Sequence, residues 1–331
     1  MANSIKVIQY GLGPIGAAVA RLVVERSDLI LVGGIDVDPG KVGRDVGDVI
    51  GLTQSLGFST DKTLAETLQR TNADIVLHTT NSYFDLFKSQ IDEILKSGLD
   101  IVSTSEELSF PWLDNKEIAT QIDSLAKRVG KTVLGTGVNP GFLMDSLPLN
   151  LTAICQQVDS IAVTRIINAS ERRGPFQTKI GAGMTVNAFK AKMDEGRMGH
   201  VGLPESVGMI FDTFGKKLVR YESGVEPVVA QQVTKTDYFE VQPGEVKGLK
   251  QVAHGYTTDK EFVTLTFIAA LAMDDDGDTI KINGKPNLEV KLKGTNGDIA
   301  TVAIAVNAIK RVLAAAPGLV TMRDLPIVNA G

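Results

Sequence analysis

The chain is poor in the residues that build metal and nucleophile sites: one cysteine, three histidines and one tryptophan in 331 residues. A single thiol, Cys155, forms no internal disulfide and excludes metal sites built on several cysteines. It lies among Leu, Ile and Val in 151–158, which predicts a small buried hydrophobe rather than a nucleophile. His78, His200 and His254 are too scattered for a metal site, and none is expected. There is no HExxH, no Ser-His-Asp ordering and no phosphate-binding GK[ST] motif. Basic residues are also short: 34 Lys and Arg against 39 Asp and Glu give a net charge of −5, with no long basic run. That removes the electrostatic case for a nucleic-acid partner. No apolar run approaches the ~20 residues of a membrane span. Met1 to Ile5 lack the basic and apolar pattern of a secretory leader, so a cytoplasmic location without membrane partners is expected.

What the chain does have is alternation. Apolar stretches at Ile5–Tyr10, Leu29–Ile35, 74–78, 101–103 and 132–134 predict short buried strands. Between them, Pro14–Glu25, 84–97 and 115–129 carry apolar residues at helical spacing. Strands alternating with helices at this interval predict βαβ units, right-handed crossovers and a parallel sheet. After about Pro148 the pattern changes to longer strands at 159–167 and 260–271, an alternating strand at 288–292, and helices at 187–197 and 203–211. Asp274–Gly277 reads as a solvated acidic turn, and 298–315 as a C-terminal helix with one apolar face. The expected fold class is α/β: an N-terminal doubly wound Rossmann domain over 1–147, followed by an α+β substrate domain over 148–297. Residues 298–331 form a helix and tail that can pack back on the first domain.

Gly11-Leu12-Gly13-Pro14-Ile15-Gly16 is a GxGxxG that follows a strand and opens a helix. In that context Gly11 permits the tight turn, Gly13 lets the backbone approach a pyrophosphate, and Gly16 allows helix and strand to close up. The helix N-terminus then offers N–H groups to the phosphates. Asp36 ends the second strand about twenty residues later, where a carboxylate binds the ribose 2′-OH of NAD. Lys41 and Arg44 just beyond can rescue NADP binding, although a solvated loop explains them equally well, so NAD is expected, with NADP as a second use. Thr79, Thr80 and Asn81 follow the third strand, where an open α/β sheet binds its ligands; helix capping is the competing role. His78 is expected to be structural.

Two further strand ends point at the same crevice. One carries Ser103, Thr104, Ser105, Glu106 and Glu107, and Pro111 and Trp112 interrupt any helix early. A carboxylate partly desolvated beside a nicotinamide has a raised pKa and serves as a base, which selects Glu106 or Glu107. The other carries Gly137-Val138-Asn139-Pro140-Gly141-Phe142, a turn whose Asn139 and Pro140 backbone can lie beside the nicotinamide carboxamide. Phe142, Met144, Phe176 and His200 are candidates to shape the substrate pocket; core packing is the competing role of Phe142, and a satisfied structural histidine is the favoured reading of His200 and His254.

The stretches VIQYGLGPIG, TSEELSFPW, GTGVNPGFLMD, GHVGLPES, GDIATVAIAVNAI and PGLVTMRDLP resemble the 2,4-diaminopentanoate dehydrogenase family, which includes native amine dehydrogenases with a dihydrodipicolinate-reductase-like Rossmann domain. The resemblance covers nearly the whole chain, and GTGVNPG and the C-terminal stretch are its most specific parts. It implies NAD(P)-dependent oxidation of an amine to a carbonyl and ammonia, or the reverse, in a homodimer whose second domain serves dimerisation. It also implies a catalytic glutamate in SEEL, so Glu106 or Glu107. A carboxylate-bearing substrate calls for a cation such as Arg165, Arg172, Arg173, Lys179 or Arg197; without one, a small uncharged ketone or aldehyde is expected. Two alternatives stand beside this: a cyclic imine reductase, for which no compact Lys/Arg motif is present, and a regulatory protein that senses NAD(P) without turnover.

Overall fold

The computed structural model describes residues 4–196 and 198–331. The chain divides into two compact units: Met1–Phe142 with Asn296–Gly331, and Leu143–Thr295.

The first unit is built on β1 (Ile5–Tyr10), β2 (Leu29–Ile35), β3 (Ile75–His78), β4 (Asp100–Ser103) and β5 (Thr132–Gly135). With an edge strand at Gly318–Val320 they form one sheet in the order edge, β5, β4, β3, β1, β2. Every pairing is parallel. The helices α1 (Pro14–Glu25), α2 (Phe84–Lys96) and α3 (Lys116–Val129) are the crossovers from β1 to β2, β3 to β4 and β4 to β5, and the shorter helix Leu64–Arg70 lies between β2 and β3. The strands read as nearly unbroken apolar runs because both faces are covered. Val7, Leu77, Val102 and Leu134 enter one core with Val19 and Val23 of α1 and Val302 and Ile309 near the C-terminus. Their neighbours Ile8, Val76, Ile101 and Val133 enter the other, with Phe87 and Ile91 of α2 and Ile122 of α3. The direction of strand addition reverses between β1 and β3, so their carboxyl ends flank the crevice where such sheets bind ligands. The C-terminal helix is not continuous: it runs over Gly297–Asn307, breaks at Ala308 and resumes at Ile309–Leu313.

The second unit carries β6 (Gln157–Asn168), α4 (Leu203–Thr213), β7 (Arg220–Val229), β8 (Val246–Tyr256), β9 (Glu261–Ala270), β10 (Gly277–Lys285) and β11 (Leu288–Leu292). The sheet order is β11, β10, β6, β9, β8, β7, antiparallel except for the β6–β9 pair. Ile161, Val163 and Arg165 on β6 and Val263, Leu265 and Phe267 on β9 form its buried face. Cys155 corrects an expectation: it is half-buried, in a segment whose Ala153, Ile154, Gln156 and Gln157 are exposed. A single 3-10 turn, Thr152–Ile154, precedes it, and the apolar Ala153 and Ile154 of that turn face solvent.

Candidate active site

The glycine loop begins where β1 ends. Gly11 adopts φ +92°, and a Cβ there would stand 2.6 Å from the Thr79 carbonyl oxygen. A Cβ on Gly16 would stand 1.9 Å from the Gly11 carbonyl oxygen and 2.4 Å from Thr79 Oγ1, so helix and loop touch without side chains. Gly13 differs: a Cβ there meets nothing within 4 Å. The open side of the loop is therefore its middle glycine, at the N-cap of α1, where no side chain caps the helix. Pro14 and the half-buried Ile15 begin that helix.

A residue outside the motif holds this loop. Gln9 Nε2 donates to the Gly11 carbonyl at 2.9 Å and to Thr79 Oγ1 at 2.8 Å. The Thr79 hydroxyl in turn donates to the Gly11 carbonyl at 2.9 Å, so it braces the loop from within. A fully buried glutamine in a strand covered on both faces is a polar exception, and that exception was its signal in the sequence.

Asp36 stands at the end of β2. Its Oδ2 accepts the Leu12 N–H and the Lys41 ammonium, each at 2.9 Å, and its Oδ1 accepts the Asp38 N–H at 2.9 Å. Burial pushes this carboxyl up, but the Lys41 ammonium and the two backbone donors outweigh it and hold the group below the usual carboxylate range. Arg44 is exposed, with Nη1 3.4 Å from the Gly40 carbonyl. Asn81 is exposed on the loop after β3, and Thr80 is half-buried.

The segment after β4 closes into one 3-10 turn, Glu106–Leu108. Its two glutamates differ. Glu107 Oε2 accepts the Phe84 N–H at 2.7 Å, at the start of α2, and its own N–H reaches the Ser82 carbonyl at 3.3 Å. Burial pushes the Glu107 carboxyl up; the Phe84 N–H opposes this, while Asp85, Asp114 and Glu106 add to it. Glu106 is half-buried, and among the described residues no hydrogen bond to its carboxylate is formed. Ser103 is fully buried and its Oγ turns to His78 at 2.8 Å; Thr104 is half-buried and its N–H donates to the His78 carbonyl at 3.0 Å.

After β5, the Asn139–Pro140 bond is cis and both residues are buried. Gly141 has φ +121°, and a Cβ there would lie 2.6 Å from Gly137 N. The Val138 N–H donates to Thr301 Oγ1 at 3.3 Å, which ties this turn to the helix 297–307. Ser105 Oγ and Thr136 Oγ1, buried at the ends of β4 and β5, have no partner among the described residues. Buried hydroxyls without partners, an uncapped helix start and an open Gly13 at the switch point together fit a dinucleotide.

The substrate candidates fall in both units. Phe142 is half-buried at the end of the first segment. In the second unit Met144 is fully buried, the Phe176 ring carries the Arg172 guanidinium 4.4 Å from its centroid, and the His200 ring stacks on Phe267 at 4.6 Å. His254 Nδ1 lies 2.8 Å from Glu261 Oε1. Arg165 is buried, with Nη1 3.0 Å from Asp278 Oδ1; burial pushes the guanidinium down and the Asp278 carboxyl up, and their mutual attraction opposes both. Lys179 is exposed, Arg172 is half-buried and Arg173 exposed, and Arg197 lies outside the described residues.

Residues 142–331 match the model of the 2,4-diaminopentanoate dehydrogenase C-terminal domain. A 2,4-diaminopentanoate dehydrogenase from Acetoanaerobium sticklandii is 33% identical over 99% of this chain and 95% of its own length. An amine dehydrogenase from Streptomyces virginiae is 23% identical over 98% of this chain and 96% of its own. The structure of amine dehydrogenase from Mycobacterium smegmatis superposes with a TM-score of 0.85 at 26% identity, covering 99% of this chain and 98% of that one. The chain is an oxidoreductase that belongs to the 2,4-diaminopentanoate dehydrogenase family.

Proposed function

We propose that the protein is an NAD(P)-dependent amine dehydrogenase, catalysing the reversible oxidative deamination of an amine and, in reverse, the reductive amination of a small ketone or aldehyde with ammonia. The observation that carries this is the division of labour in the 106–108 turn: Glu107 is committed to the Phe84 N–H, whereas the Glu106 carboxylate has no such bond. Glu106 binds ammonium, takes a proton from it and, after attack on the carbonyl and loss of water, stabilises the iminium cation by charge. Gly11, Gly13, Gly16 and Asp36 would hold the dinucleotide, which would supply or accept the hydride. Glu107 fixes the turn against α2. Thr104, Asn139 and Pro140 flank the nicotinamide side, and Phe142 of the same unit helps exclude water.

Two substrate classes follow from different observations. The compensation of Arg165 by Asp278 favours an uncharged carbonyl, because the buried cation is already paired. The relative named 2,4-diaminopentanoate dehydrogenase favours a diamino acid. We also read the chain as a cytoplasmic homodimer, with the second unit serving substrate binding and dimerisation. The face of β6 and β9 opposite the buried one offers half-exposed Thr164, Ile166, Thr266 and Ile268, small or β-branched and uncharged, as a self-complementary surface. Light scattering of the purified chain tests that mass.

The enzymatic test is NAD(P)H consumption with pentan-2-one and other small ketones and aldehydes, with and without ammonium at alkaline pH. It is run beside NAD(P)⁺ reduction by 2,4-diaminopentanoate. Ammonium-dependent consumption, lost in Glu106→Gln and retained at least in part in Glu107→Gln, is the expected result. A wild-type chain that binds NADH tightly but turns over none of these compounds is a cofactor sensor, and the proposal fails.

A further inference from the structure

A chain of buried and half-buried hydrogen bonds at the ends of β3 and β4 has no part in the chemistry above. His78 is fully buried, and burial pushes its imidazole down to about 4, so the ring is neutral. Its Nε2 lies 2.8 Å from Gln90 Oε1, an oxygen that only accepts, so Nε2 carries the proton. Nδ1 is then the acceptor, and Ser103 Oγ donates to it at 2.8 Å. With its proton committed, Ser103 Oγ accepts the Ser105 N–H at 3.1 Å. At the other end, Thr80 Oγ1 donates to Gln90 Oε1 at 2.7 Å and lies 2.9 Å from His78 Nε2. Thr80 Cγ2 stands 3.1 Å from where a Cβ on Gly11 would be. The chain therefore runs from Thr80 through Gln90, His78 and Ser103 to the residue preceding Glu106.

Backbone bonds hold the two ends of the glutamate turn: Thr104 N–H on the His78 carbonyl, and Glu107 N–H on the Ser82 carbonyl. Ser103 Oγ holds the amide between them, and it does so with its proton directed at His78. We propose that His78 is a positioning residue for Glu106: through Ser103 it fixes Ser105 at the start of the 106–108 turn, and with it the place of the Glu106 carboxylate. This rests on the assignment of ammonia handling to Glu106.

The chemistry of the variants separates the two halves of the network. In His78→Asn, Oδ1 takes the place of Nδ1 and still accepts from Ser103, while the link to Gln90 is lost. In His78→Gln, the amide reaches toward Gln90 and the acceptor for Ser103 is lost. Ser103→Ala removes a single buried oxygen and is the mildest of the three. The full-length chain is assayed with 2,4-diaminopentanoate and NAD⁺, and with pentan-2-one, ammonium and NADH. Amide hydrogen exchange of the 103–109 segment and NADH affinity are measured alongside. His78→Gln and Ser103→Ala should lower kcat on the order of 10- to 100-fold, the cost of a misplaced reacting group, at unchanged NADH affinity and with faster exchange in 103–109. His78→Asn should keep most of kcat and wild-type exchange. Wild-type kcat and exchange in Ser103→Ala, or equal losses in His78→Asn and His78→Gln, would overturn the proposal whether or not every variant folds well. Faster exchange in Ser103→Ala with a wild-type chain inactive on both substrates would instead locate the failure in the amine dehydrogenase assignment, and the role given to His78 would fall with it.

Discussion

Gly13→Ala separates a cofactor loop from a merely tight turn. Gly13 has φ −65° and ψ −175°, a conformation alanine adopts freely, and the new methyl meets nothing within 4 Å. The lower entropy of the unfolded chain stabilises by ~0.4–1 kcal/mol. Alanine is a poorer N-cap than glycine, and this offsets a similar amount. The variant should therefore melt within a few degrees of wild type. For the dinucleotide, the methyl occupies the side from which a pyrophosphate approaches the helix start. Losing one charge-assisted hydrogen bond there costs ~1.5–3 kcal/mol, which raises the NADH dissociation constant about 10- to 150-fold. Gly16→Ala is the control: its Cβ would collide with the Gly11 carbonyl, a backbone atom that cannot swing aside. Overpacking there should cost ~1–3 kcal/mol of stability. Fluorescence titration with NADH and thermal unfolding of both variants give the two readouts. A Gly13→Ala chain that binds NADH like wild type, or that unfolds as readily as Gly16→Ala, would refute the assignment of this loop.

Three further outcomes are expected. His78 titrates near 6.5 when unfolded and at about 4 when folded. Its share of stability is therefore fully present above the unfolded value and is lost as pH falls toward 4, by about 3 kcal/mol in all; denaturant unfolding between these limits should show a slope that His78→Gln flattens. Arg165→Met strands the buried Asp278 and should destabilise by ~3–5 kcal/mol, whereas the double variant Arg165→Met, Asp278→Leu recovers most of that loss; equal losses in single and double variants by chemical denaturation would contradict it. Lys41→Ala removes the cation on Asp36 and should weaken NADPH binding more than NADH binding, because a 2′-phosphate then faces an uncompensated carboxylate; a matched loss for both cofactors in parallel titrations would show that Lys41 does not meet the 2′ position.

The first unit was legible in the sequence because its strands are buried on both faces and its helices on one. Those burial patterns leave separate periodicities, and Ile5–Tyr10, Pro14–Glu25 and Leu29–Ile35 appear within the bounds that the apolar runs imply. The second unit was less so. Strands at Arg220–Val229 and Gly277–Lys285 carry exposed or half-exposed side chains, and Val246–Tyr256 contains Lys, Gln, His and two glycines. Pairing with neighbours distant in sequence, not a local pattern, makes them strands. Pro227 illustrates the point: it interrupts an apparent strand, yet it is tolerated on β7 at the sheet edge. Ala308 breaks a stripe that looked continuous because the residues on either side stay on the same buried core.

At the site, motifs revealed position but not partnership. The GxGxxG spacing selected all three glycines, and steric surroundings then distinguish Gly11 and Gly16, which are closed, from Gly13, which is open. The pair Glu106 and Glu107 is symmetric in sequence; one backbone amide, that of Phe84 some twenty residues upstream, breaks the symmetry. Thr79 and Ser103 read as ligands because small hydroxyl residues follow strand ends, but each hydroxyl is used within the protein, on Gly11 and on His78. Gln9 and Gln90, which organise both sides of the crevice, belong to no motif. For Gln9 the role follows from burial: its buried amide nitrogen finds acceptors only in the glycine loop and on Thr79, while the half-buried Gln90 carbonyl accepts from His78 and Thr80. Asp36 carries the same lesson for cofactor choice. Its carboxylate is already bonded to the Leu12 N–H and the Lys41 ammonium. What a ribose or a 2′-phosphate meets there is therefore a carboxylate–ammonium pair braced on the glycine loop, and selectivity between the two cofactors depends on how far Lys41 yields Asp36 to the incoming ligand.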